Sequence, residues 1–479
     1  MAANLHIPIL RGGKVYESLD TVELAHPTTG ESLARISQAN PGIIRKDLSR
    51  IEASCEALQK LTIQHLLDIC AQAGELFMTA ALPIGDGGDT QSPEQFVEQL
   101  STTSGLPHAL CRRNMAKIHQ VFTQMPGILR GLTRGLDLSI LDEGVGRQSG
   151  MLMSYYPSAR SIGVVLPSNS PGVNSLWMPA IALKVPVVLK PGREEPWTPS
   201  RIIQAFIAAG CPPEAFFFYP TDHEGAATIL KSCDRALLFG DERTTAPYAN
   251  NPAIQIHGPG WSKVLIGEDK IDHWRDYIDV MVDSIAANGG RSCINASAIV
   301  VPRHADEIAD ALAQRLAVIQ PTSTSDEGAR LSAFANPAFA EYIDGAITEG
   351  LQTTGADEVT AQYRTGDRKV THQGRIYLQP TLIRCRSLDH PLANREFLFP
   401  YASVLQIPQV DMLDKIGSSL VVTAITEDEA FIKQLVRSPL IDRLNIGALP
   451  TSHVEWDQPH EGNLFEFLYK RRAIQRGTA

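Results

Sequence analysis

Short apolar strands that alternate with helix-forming segments, between residues 161 and 241, constrain the fold of this chain most. Strands that are apolar throughout are buried on both faces, which is typical of a parallel sheet covered by helices. The pattern therefore predicts an α/β domain built on a parallel sheet. Its predicted strands are residues 162–166, 185–189, 216–219 and 235–239.

The ends of these strands carry residues that suit ligand binding. Ligands of parallel sheets bind at the carboxyl ends of the strands, where Asn169, Lys190, Arg193 and Gly240 all fall. No Gly-x-Gly-x-x-Gly follows any of these strands, so the ordinary dinucleotide-binding fingerprint is absent. The sequence predicts a ligand site at this edge, built from other residues.

Composition excludes several classes of protein. The chain has 479 residues, 43% hydrophobic and 20% charged, which fits a globular protein with two large domains. Its net charge of -10 and the lack of a basic run argue against nucleic acid as a partner. No apolar run reaches the length of a membrane span, so we expect no membrane partner and a cytoplasmic location. The seven cysteines are scattered without metal-ligand spacing, so neither disulfides nor a metal site is predicted.

A second alternation of helix and strand begins after residue 266. We predict two α/β domains, the first from residues 1–135 and 159–265, the second from residues 266–445. Residues 136–158 read as a protruding two-stranded arm, and residues 463–469, within the tail 446–479, alternate like a strand. An isolated hairpin is marginally stable, so the arm would need a partner subunit, although a hairpin packed on its own domain is an equal alternative.

Cys293 is the candidate nucleophile. Two glycines and Arg291 precede it on a tight loop, and an apolar, β-prone run follows at residues 299–302. Such a loop lets the backbone approach a ligand closely, and a nearby cation favours the reactive thiolate. A buried structural cysteine is the alternative.

Five segments in order resemble the landmarks of the aldehyde dehydrogenase superfamily, from about Gly13 onward. They are Leu166-Pro167-Ser168-Asn169, Val187-Val188-Leu189-Lys190-Pro191, Phe239-Gly240-Asp241 in place of the usual Thr-Gly-Ser, Gly290-Arg291-Ser292-Cys293 and Glu396-Phe397-Leu398-Phe399-Pro400.

This resemblance implies an aldehyde dehydrogenase-like fold with two Rossmann-like α/β domains and a β oligomerisation arm. The first domain would bind NAD or NADP, the second would be catalytic, and the protein would be a homodimer or homotetramer. The implied cofactor-binding residues are Leu166, Pro167, Ser168, Lys190, Gly192, Arg193, Gly240, Asp241 and Glu396.

The implied chemistry begins with attack of the Cys293 thiolate on an aldehyde or thioester carbonyl. Hydride transfer from the resulting adduct then leaves a thioacyl enzyme, so one difficult step becomes two easier ones. The Asn169 amide and the Cys293 backbone N–H would stabilise the oxyanion.

The segment from Gln255 to Lys263 departs from the family pattern. Hydrolytic members carry a glutamate here, in Glu-Leu-Gly-Gly, that activates water, whereas this chain has no acid in the turn. If Pro259-Gly260 replaces the glycine pair, His257 falls at the glutamate position. His257 would serve as the base of a hydrolytic enzyme. Alternatively, coenzyme A takes the acyl group, as in acylating aldehyde dehydrogenases and acyl-CoA reductases. An ordinary turn histidine at residue 257 is compatible with both interpretations. We favour the acylating interpretation; a non-catalytic protein that kept the fold is the third alternative.

The predicted cofactor site also departs from the family pattern. NAD-preferring members have a glutamate three residues after the strand-end lysine, where this chain has Arg193. A cation there tolerates the 2′-phosphate of NADP(H), whereas the adjacent Glu194 and Glu195 leave NAD(H) open.

Overall fold

The computed structural model describes residues 5–85, 88–475 and 477, and the ends of the predicted domains at residues 1–4, 476, 478 and 479 lie outside them. The chain divides into two compact units. The first comprises Met1–Thr103, Cys111–His257 and Glu455–Ala479, and the second comprises Ser104–Leu110 and Gly258–Val454. The functions that the sequence predicts for the two domains remain predictions.

The elements up to residue 257 are strands β1 (His6–Ile7), β2 (Ile9–Arg11), β3 (Lys14–Tyr16), β4 (Thr21–Ala25) and β5 (Ser32–Ser37), helices α1 (Pro41–Leu48), α2 (Glu52–Gln59) and α3 (Ile63–Thr79), strands β6 (Leu82–Pro83) and β7 (Thr90–Gln91), helices α4 (Pro93–Ser104), α5 (His108–Thr123), α6 (Met125–Leu132) and α7 (Ile140–Glu143), strands β8 (Val145–Gln148), β9 (Met151–Pro157) and β10 (Ile162–Val165), helix α8 (Pro179–Ala182), strand β11 (Val187–Lys190), helix α9 (Trp197–Ala208), strand β12 (Phe216–Phe218), helix α10 (His223–Ser232), strand β13 (Arg235–Phe239), helix α11 (Glu242–Thr245) and strand β14 (Ile254–His257).

The later elements are strands β15 (Ser262–Ile266), helix α12 (Ile278–Ala286), strand β16 (Ala296–Val301), helices α13 (Ala305–Ala317) and α14 (Pro337–Gly350), strands β17 (Ala356–Glu358), β18 (Lys369–His372), β19 (Arg375–Leu378), β20 (Thr381–Cys385) and β21 (Tyr401–Gln406), helix α15 (Gln409–Lys415), strand β22 (Ser419–Ile425), helix α16 (Glu429–Arg437), strand β23 (Ile441–Ile446), helix α17 (Leu464–Leu468) and strand β24 (Tyr469–Arg472).

The main sheet of the first unit has the strand order β14-β13-β10-β11-β12-β2-β3. The strands from β14 to β12 are parallel, β2 pairs antiparallel with β12 at one edge, and β3 pairs antiparallel with β2. The predicted parallel sheet is therefore confirmed. The chain runs outward from β10 through β11 to β12 and then returns to the other side of β10 with β13. Such a reversal opens a crevice at the carboxyl end of β10, which is where ligands of open α/β sheets bind.

The main sheet of the second unit has the order β17-β20-β21-β16-β15-β22-β23. All neighbours are parallel except β17, which pairs antiparallel with β20. Both faces are buried: Val264 and Ile299 pack in a core with α12 and α13, and Leu265 and Val300 pack in a second core with α14 and α16. Burial on both faces explains why these strands are apolar at successive positions.

The predicted arm forms a three-stranded sheet of β8, β9 and β24 in the first unit. The prediction of a strand over residues 463–469 is wrong in most of its length, because α17 occupies Leu464–Leu468 before β24 begins at Tyr469. The Asn463 side chain caps this helix by accepting a hydrogen bond from the Glu466 N–H at 3.2 Å. This short helix buries Leu464, Phe465 and Leu468. Apolar and polar residues alternate in its sequence, and that pattern resembles the pattern of a strand.

Two local features add detail to the predicted pattern. Residues 140–141, at the start of the predicted two-stranded arm, belong to helix α7. The connection after β10 contains a 3-10 segment, Pro171–Leu176, followed by α8. Pro179 starts α8, and a proline favours the first turn of a new helix over the interior of a longer one.

All seven cysteines lie in the described part of the chain, and none of these seven is joined to another in a disulfide. Within the described residues, none of the helices has both the length and the apolar composition needed to cross a bilayer.

Candidate active site

The segment after β10 and the segment after β11 lie against each other in the first unit. The Leu166 N–H donates to the Lys190 carbonyl at 2.9 Å, which joins the two strand ends. A Cβ added to Gly192 would overlap the Pro167 carbonyl and the Ser168 hydroxyl. Glycine is therefore required at residue 192, and the structure brings these predicted cofactor-binding residues together.

Lys190 ends β11 with a half-buried ammonium group. Burial lowers its pKa, and Arg193 adds to this effect while Glu194 opposes it. The ammonium makes no hydrogen bond or ion pair with another described residue. A desolvated cation at a strand end fits a ligand that carries phosphate or hydroxyl groups.

The two glutamates after Arg193 differ in accessibility. Glu195 is 2% exposed, and its carboxylate accepts a hydrogen bond from the Thr198 N–H at 2.8 Å at the start of α9. Burial raises the pKa of Glu195 to about 8. The Glu195 side chain thus caps α9 inside the first unit. By contrast, Arg193 is exposed and Glu194 is half-buried.

Asp241 follows β13 and caps α11. Its carboxylate accepts hydrogen bonds from the Thr244 N–H at 2.9 Å and from the Thr244 hydroxyl at 2.7 Å, and these bonds lower its pKa. The Gly240 N–H donates to the His257 carbonyl at 3.3 Å. Asn169, on the loop after β10, is half-buried in the same unit. Its predicted role as the partner of the Cys293 N–H at the oxyanion stays a prediction.

His257 ends β14 and is paired with Glu461, which the sequence did not single out. Nδ1 of His257 contacts the Glu461 carboxylate, and the ring stacks on Phe239 with centroids 4.4 Å apart. Nε2 is buried and has no described partner. Burial lowers the pKa of His257 to about 3. A neutral imidazole that donates Nδ1–H to a carboxylate leaves its lone pair on Nε2.

The Cys293 loop has an unusual backbone. Asn288, Gly289 and Gly290 all adopt positive φ angles, of 53°, 66° and 69°. The Asn295 side chain holds this path, because Oδ1 accepts from the Ser292 N–H at 2.9 Å and Nδ2 donates to the Ala287 carbonyl at 3.0 Å. Glycine adopts this conformation readily and asparagine occasionally, and the structure contains the predicted tight loop entering a strand.

Gly260, in the turn before β15, lies directly on the Cys293 backbone. A Cβ at residue 260 would overlap the Cys293 carbonyl, and the Ser262 hydroxyl donates to the same carbonyl at 2.9 Å. The thiol of Cys293 is half-buried. The turn thus fixes the backbone of the candidate nucleophile from one side.

Glu396 binds the same turn from the other side. Its Oε2 accepts hydrogen bonds from the N–H groups of Gly260 at 2.8 Å and Trp261 at 2.9 Å. Burial raises the pKa of Glu396 to about 7, although the two N–H donors and Lys263 act in the opposite direction. Lys263 is fully buried, donates to the Trp261 carbonyl at 2.6 Å and to the Ser419 hydroxyl at 3.0 Å, and has its pKa lowered by burial to about 8.

Arg291, expected to favour the thiolate, binds a backbone carbonyl of another segment, and its effect on the thiolate stays a prediction. It is 7% exposed, and its Nη1 donates to the Ser104 carbonyl at 2.5 Å. This bond ties the start of the Cys293 loop to the segment Ser104–Leu110, which belongs to the same unit.

Gly290→Ala tests whether the loop must lie on the segment 399–400. Residue 290 has φ of 69°, and a Cβ there would overlap the backbone of Phe399 and Pro400. Gly417→Ala is the matched control, since its φ is 66° and no atom lies within 4 Å. We expect Gly417→Ala to lose about 1–2 kcal/mol of unfolding free energy from the left-handed conformation alone. Gly290→Ala should lose about 1–3 kcal/mol more from overpacking.

Urea unfolding followed by circular dichroism measures both losses, and the rate of Cys293 alkylation reports the loop itself. Gly290→Ala should change that rate and Gly417→Ala should not. Equal losses in the two variants, with an unaltered alkylation rate, would contradict this account of the loop.

Comparison with known proteins bears on this arrangement. A family model described as the aldehyde dehydrogenase family matches residues 15–416. Malonate-semialdehyde dehydrogenase 1 of Geobacillus thermodenitrificans is 23% identical over 426 residues, 84% of this chain and 80% of the relative. With the malonate-semialdehyde dehydrogenase of Halalkalibacterium halodurans the identity is 23% over 260 residues, so that match spans about half of each chain, 52% of both.

A solved NAD+ complex of an aldehyde dehydrogenase from Bacillus cereus has a TM-score of 0.76 at 16% identity, over 99% of this chain and 97% of that one. At this identity the likeness concerns the fold alone, and the predicted fold class is confirmed. Because the family model extends over most of the sequence, this chain belongs to the aldehyde dehydrogenase family.

Proposed function

We propose that this protein is an NAD(P)-dependent aldehyde oxidoreductase that forms a thioacyl intermediate on Cys293 and passes the acyl group to coenzyme A. The observation that carries the proposal is the fixed backbone of Cys293, held by Gly260, Ser262 and Asn295 while the thiol stays half-buried. A nucleophile on a preorganised loop reaches a bound carbonyl without rearrangement of the loop.

The reaction divides into two steps at the sulfur of Cys293. The thiolate adds to the aldehyde carbon, and the negative charge moves to oxygen, where the Asn169 amide and the Cys293 N–H would donate hydrogen bonds. Loss of hydride from that carbon restores the carbonyl as a thioester. The thiolate of coenzyme A then attacks the thioester carbonyl and takes the acyl group, and Cys293 leaves as thiolate.

The dinucleotide, when bound, supplies the oxidant that accepts the hydride. The residues of this chain fit such a group. Lys190 offers a desolvated ammonium that has no hydrogen bond or ion pair within the described residues, and Gly192 keeps the neighbouring backbone bare. In Glu396, Oε2 takes both backbone N–H bonds, so Oε1 is the oxygen that would hold a ribose hydroxyl. A solved neighbour described as an NAD+ complex supports the dinucleotide as the cofactor class.

The choice between NADP(H) and NAD(H) turns on the residues after Lys190. The Glu195 carboxylate is buried at the start of α9, so of the two glutamates only Glu194 is accessible to a ribose 2′-hydroxyl. Exposed Arg193 beside it favours a 2′-phosphate. We therefore propose NADP(H) as the preferred form.

Coenzyme A is proposed as the acyl acceptor because the turn 258–262 contains no carboxylate. Water needs a base before it attacks a thioester, whereas a thiol has a pKa near 8.5 and ionises with little help. We propose an aldehyde as the substrate, as the name of the family indicates. The name malonate-semialdehyde dehydrogenase, which both relatives described above carry, makes a short aldehyde with a carboxylate end the first substrate to test.

A hydrolytic enzyme is the second candidate, favoured by one observation. The His257–Glu461 pair resembles a general base held by a carboxylate, with the lone pair on a buried Nε2. For this function, water would have to reach an atom that is closed from solvent. The acylating function needs no such access, and we therefore rank it first.

A first prediction separates the acceptors. Reduced-cofactor absorbance, measured with a panel of aldehydes and either NAD or NADP, should grow at least tenfold on addition of coenzyme A, and acyl-CoA thioesters should support the reverse reaction. Cys293→Ala should abolish both directions, and Cys55→Ala, at another half-buried cysteine, should change neither. Turnover that survives Cys293→Ala would overturn the proposed thioacyl mechanism, and a wild-type protein without turnover on the whole panel would leave the non-catalytic alternative.

A second prediction concerns His257. If coenzyme A is the acceptor, His257→Gln should lower the coenzyme A-dependent rate less than tenfold, because no water needs activation. Loss of a general base typically costs about 10²–10⁴-fold, so a loss of that size in coenzyme A-independent oxidation would identify the hydrolytic function instead. Glu461→Gln should then lower the same rate in the same direction, since it removes the carboxylate on Nδ1.

A further inference from the structure

Arg443 is the third residue of strand β23 in the second sheet. It is the register partner of Val421 on the neighbouring strand β22, and two residues further along Asn445 is the partner of Thr423. The Asn445 side chain donates to the Thr423 hydroxyl at 3.1 Å, so those two side chains share one face of the sheet. Because side chains alternate along a strand, Val421 and Arg443 share that face too.

Cys293 packs on a cluster that contains this same valine. The cluster consists of Ile294, Leu420 and Val421, and the half-buried Cys293 lies against it. The strand register therefore brings the side chain of Arg443 beside the group on which the candidate nucleophile packs.

The electrostatics of Arg443 agree with this placement. Burial lowers its pKa, and negative charge on Cys293 raises it. The interaction between two charges is mutual, so a guanidinium that a thiolate stabilises also stabilises that thiolate. The half-buried position weakens solvent screening of the pair.

Other charged groups around Cys293 are engaged in different contacts. Arg291, on its own loop, donates to the Ser104 carbonyl. Glu396 accepts from the turn that lies on the Cys293 carbonyl, and its negative charge would oppose a thiolate. Lys263, in the strand after that turn, donates to the Trp261 carbonyl and the Ser419 hydroxyl. These groups are held by backbone and hydroxyl partners, whereas Arg443 faces the valine of the cluster on which Cys293 packs.

We propose that Arg443 favours the thiolate of Cys293 and thereby sets the pH range in which this nucleophile reacts. The inference rests on the proposed function only in taking Cys293 as the nucleophile. Arg443 acts through the sulfur and is a positioning residue.

The test is alkylation of Cys293 by iodoacetamide in the full-length protein between pH 5 and pH 10, without aldehyde, cofactor or coenzyme A, quantified on the Cys293 peptide by mass spectrometry. In Arg443→Gln the midpoint of the rate should rise by about one pH unit, and the rate below the midpoint should fall about tenfold. Arg443→Lys keeps the charge and should retain most of the wild-type profile. Arg437→Gln, an exposed cation at the end of α16, should leave the profile unchanged.

Arg443→Met preserves the aliphatic stem and replaces the glutamine variant if that variant does not fold, as judged by circular dichroism. A midpoint that stays at the wild-type value in the uncharged variants overturns the inference. An equal displacement in Arg443→Lys also overturns it, because packing and not charge would then be responsible. Neither outcome depends on the acyl acceptor, so the failure of this inference and the failure of the proposed function are distinguishable.

Discussion

The close approach of Gly260 to the Cys293 carbonyl is the contact on which the second unit's site depends. A side chain at residue 260 would push the turn off the nucleophile loop, and the same turn presents its N–H groups to Glu396. Gly290 repeats the arrangement, since its bare backbone lies on the segment 399–400. Two glycines thus join three stretches of chain that are distant in sequence, and the position of the thiol follows from backbone packing more than from any side-chain bond.

The two sheets use opposite edges. In the first unit, Lys190 ends β11, and Leu166 and Gly240 directly follow the adjacent strands β10 and β13, as the alternation of strand and helix predicted. In the second, Cys293 precedes β16 and Gly260 precedes β15, so the candidate nucleophile lies at the amino edge. The rule that ligands bind at the carboxyl ends of parallel strands therefore does not predict the position of Cys293. Local composition does, because two glycines before a cysteine mark a left-handed loop.

Contacts made through strand register or through the chain terminus could not be predicted. Glu461 reaches His257 across 204 residues, and Arg443 reaches the Cys293 cluster only because β23 pairs with β22. Neither residue carries a local pattern, since a glutamate in a polar tail and an arginine in a half-buried strand are ordinary. Residues 463–469 show the opposite failure: a local alternation predicted a strand where an asparagine cap starts a helix. Periodicity thus predicts the long buried elements well and short terminal ones poorly.

The His257–Glu461 pair has a structural consequence whichever acyl acceptor is used. Gln255, also on β14, donates its side-chain amide to the Glu461 carbonyl, so both residues attach the tail segment to the edge of the first sheet. A buried acceptor such as Nε2 that lacks a partner costs about 1–3 kcal/mol, and an attachment alone would be served equally well by an apolar side chain. The imidazole therefore has to be explained by what Nε2 accepts. In a hydrolytic enzyme the donor to Nε2 is the attacking water, and in an acylating enzyme it is an enclosed water or a group of the bound ligand. An Nε2 without a partner in the protein is therefore expected for both functions. The burial of Nε2 from solvent favours the acylating enzyme.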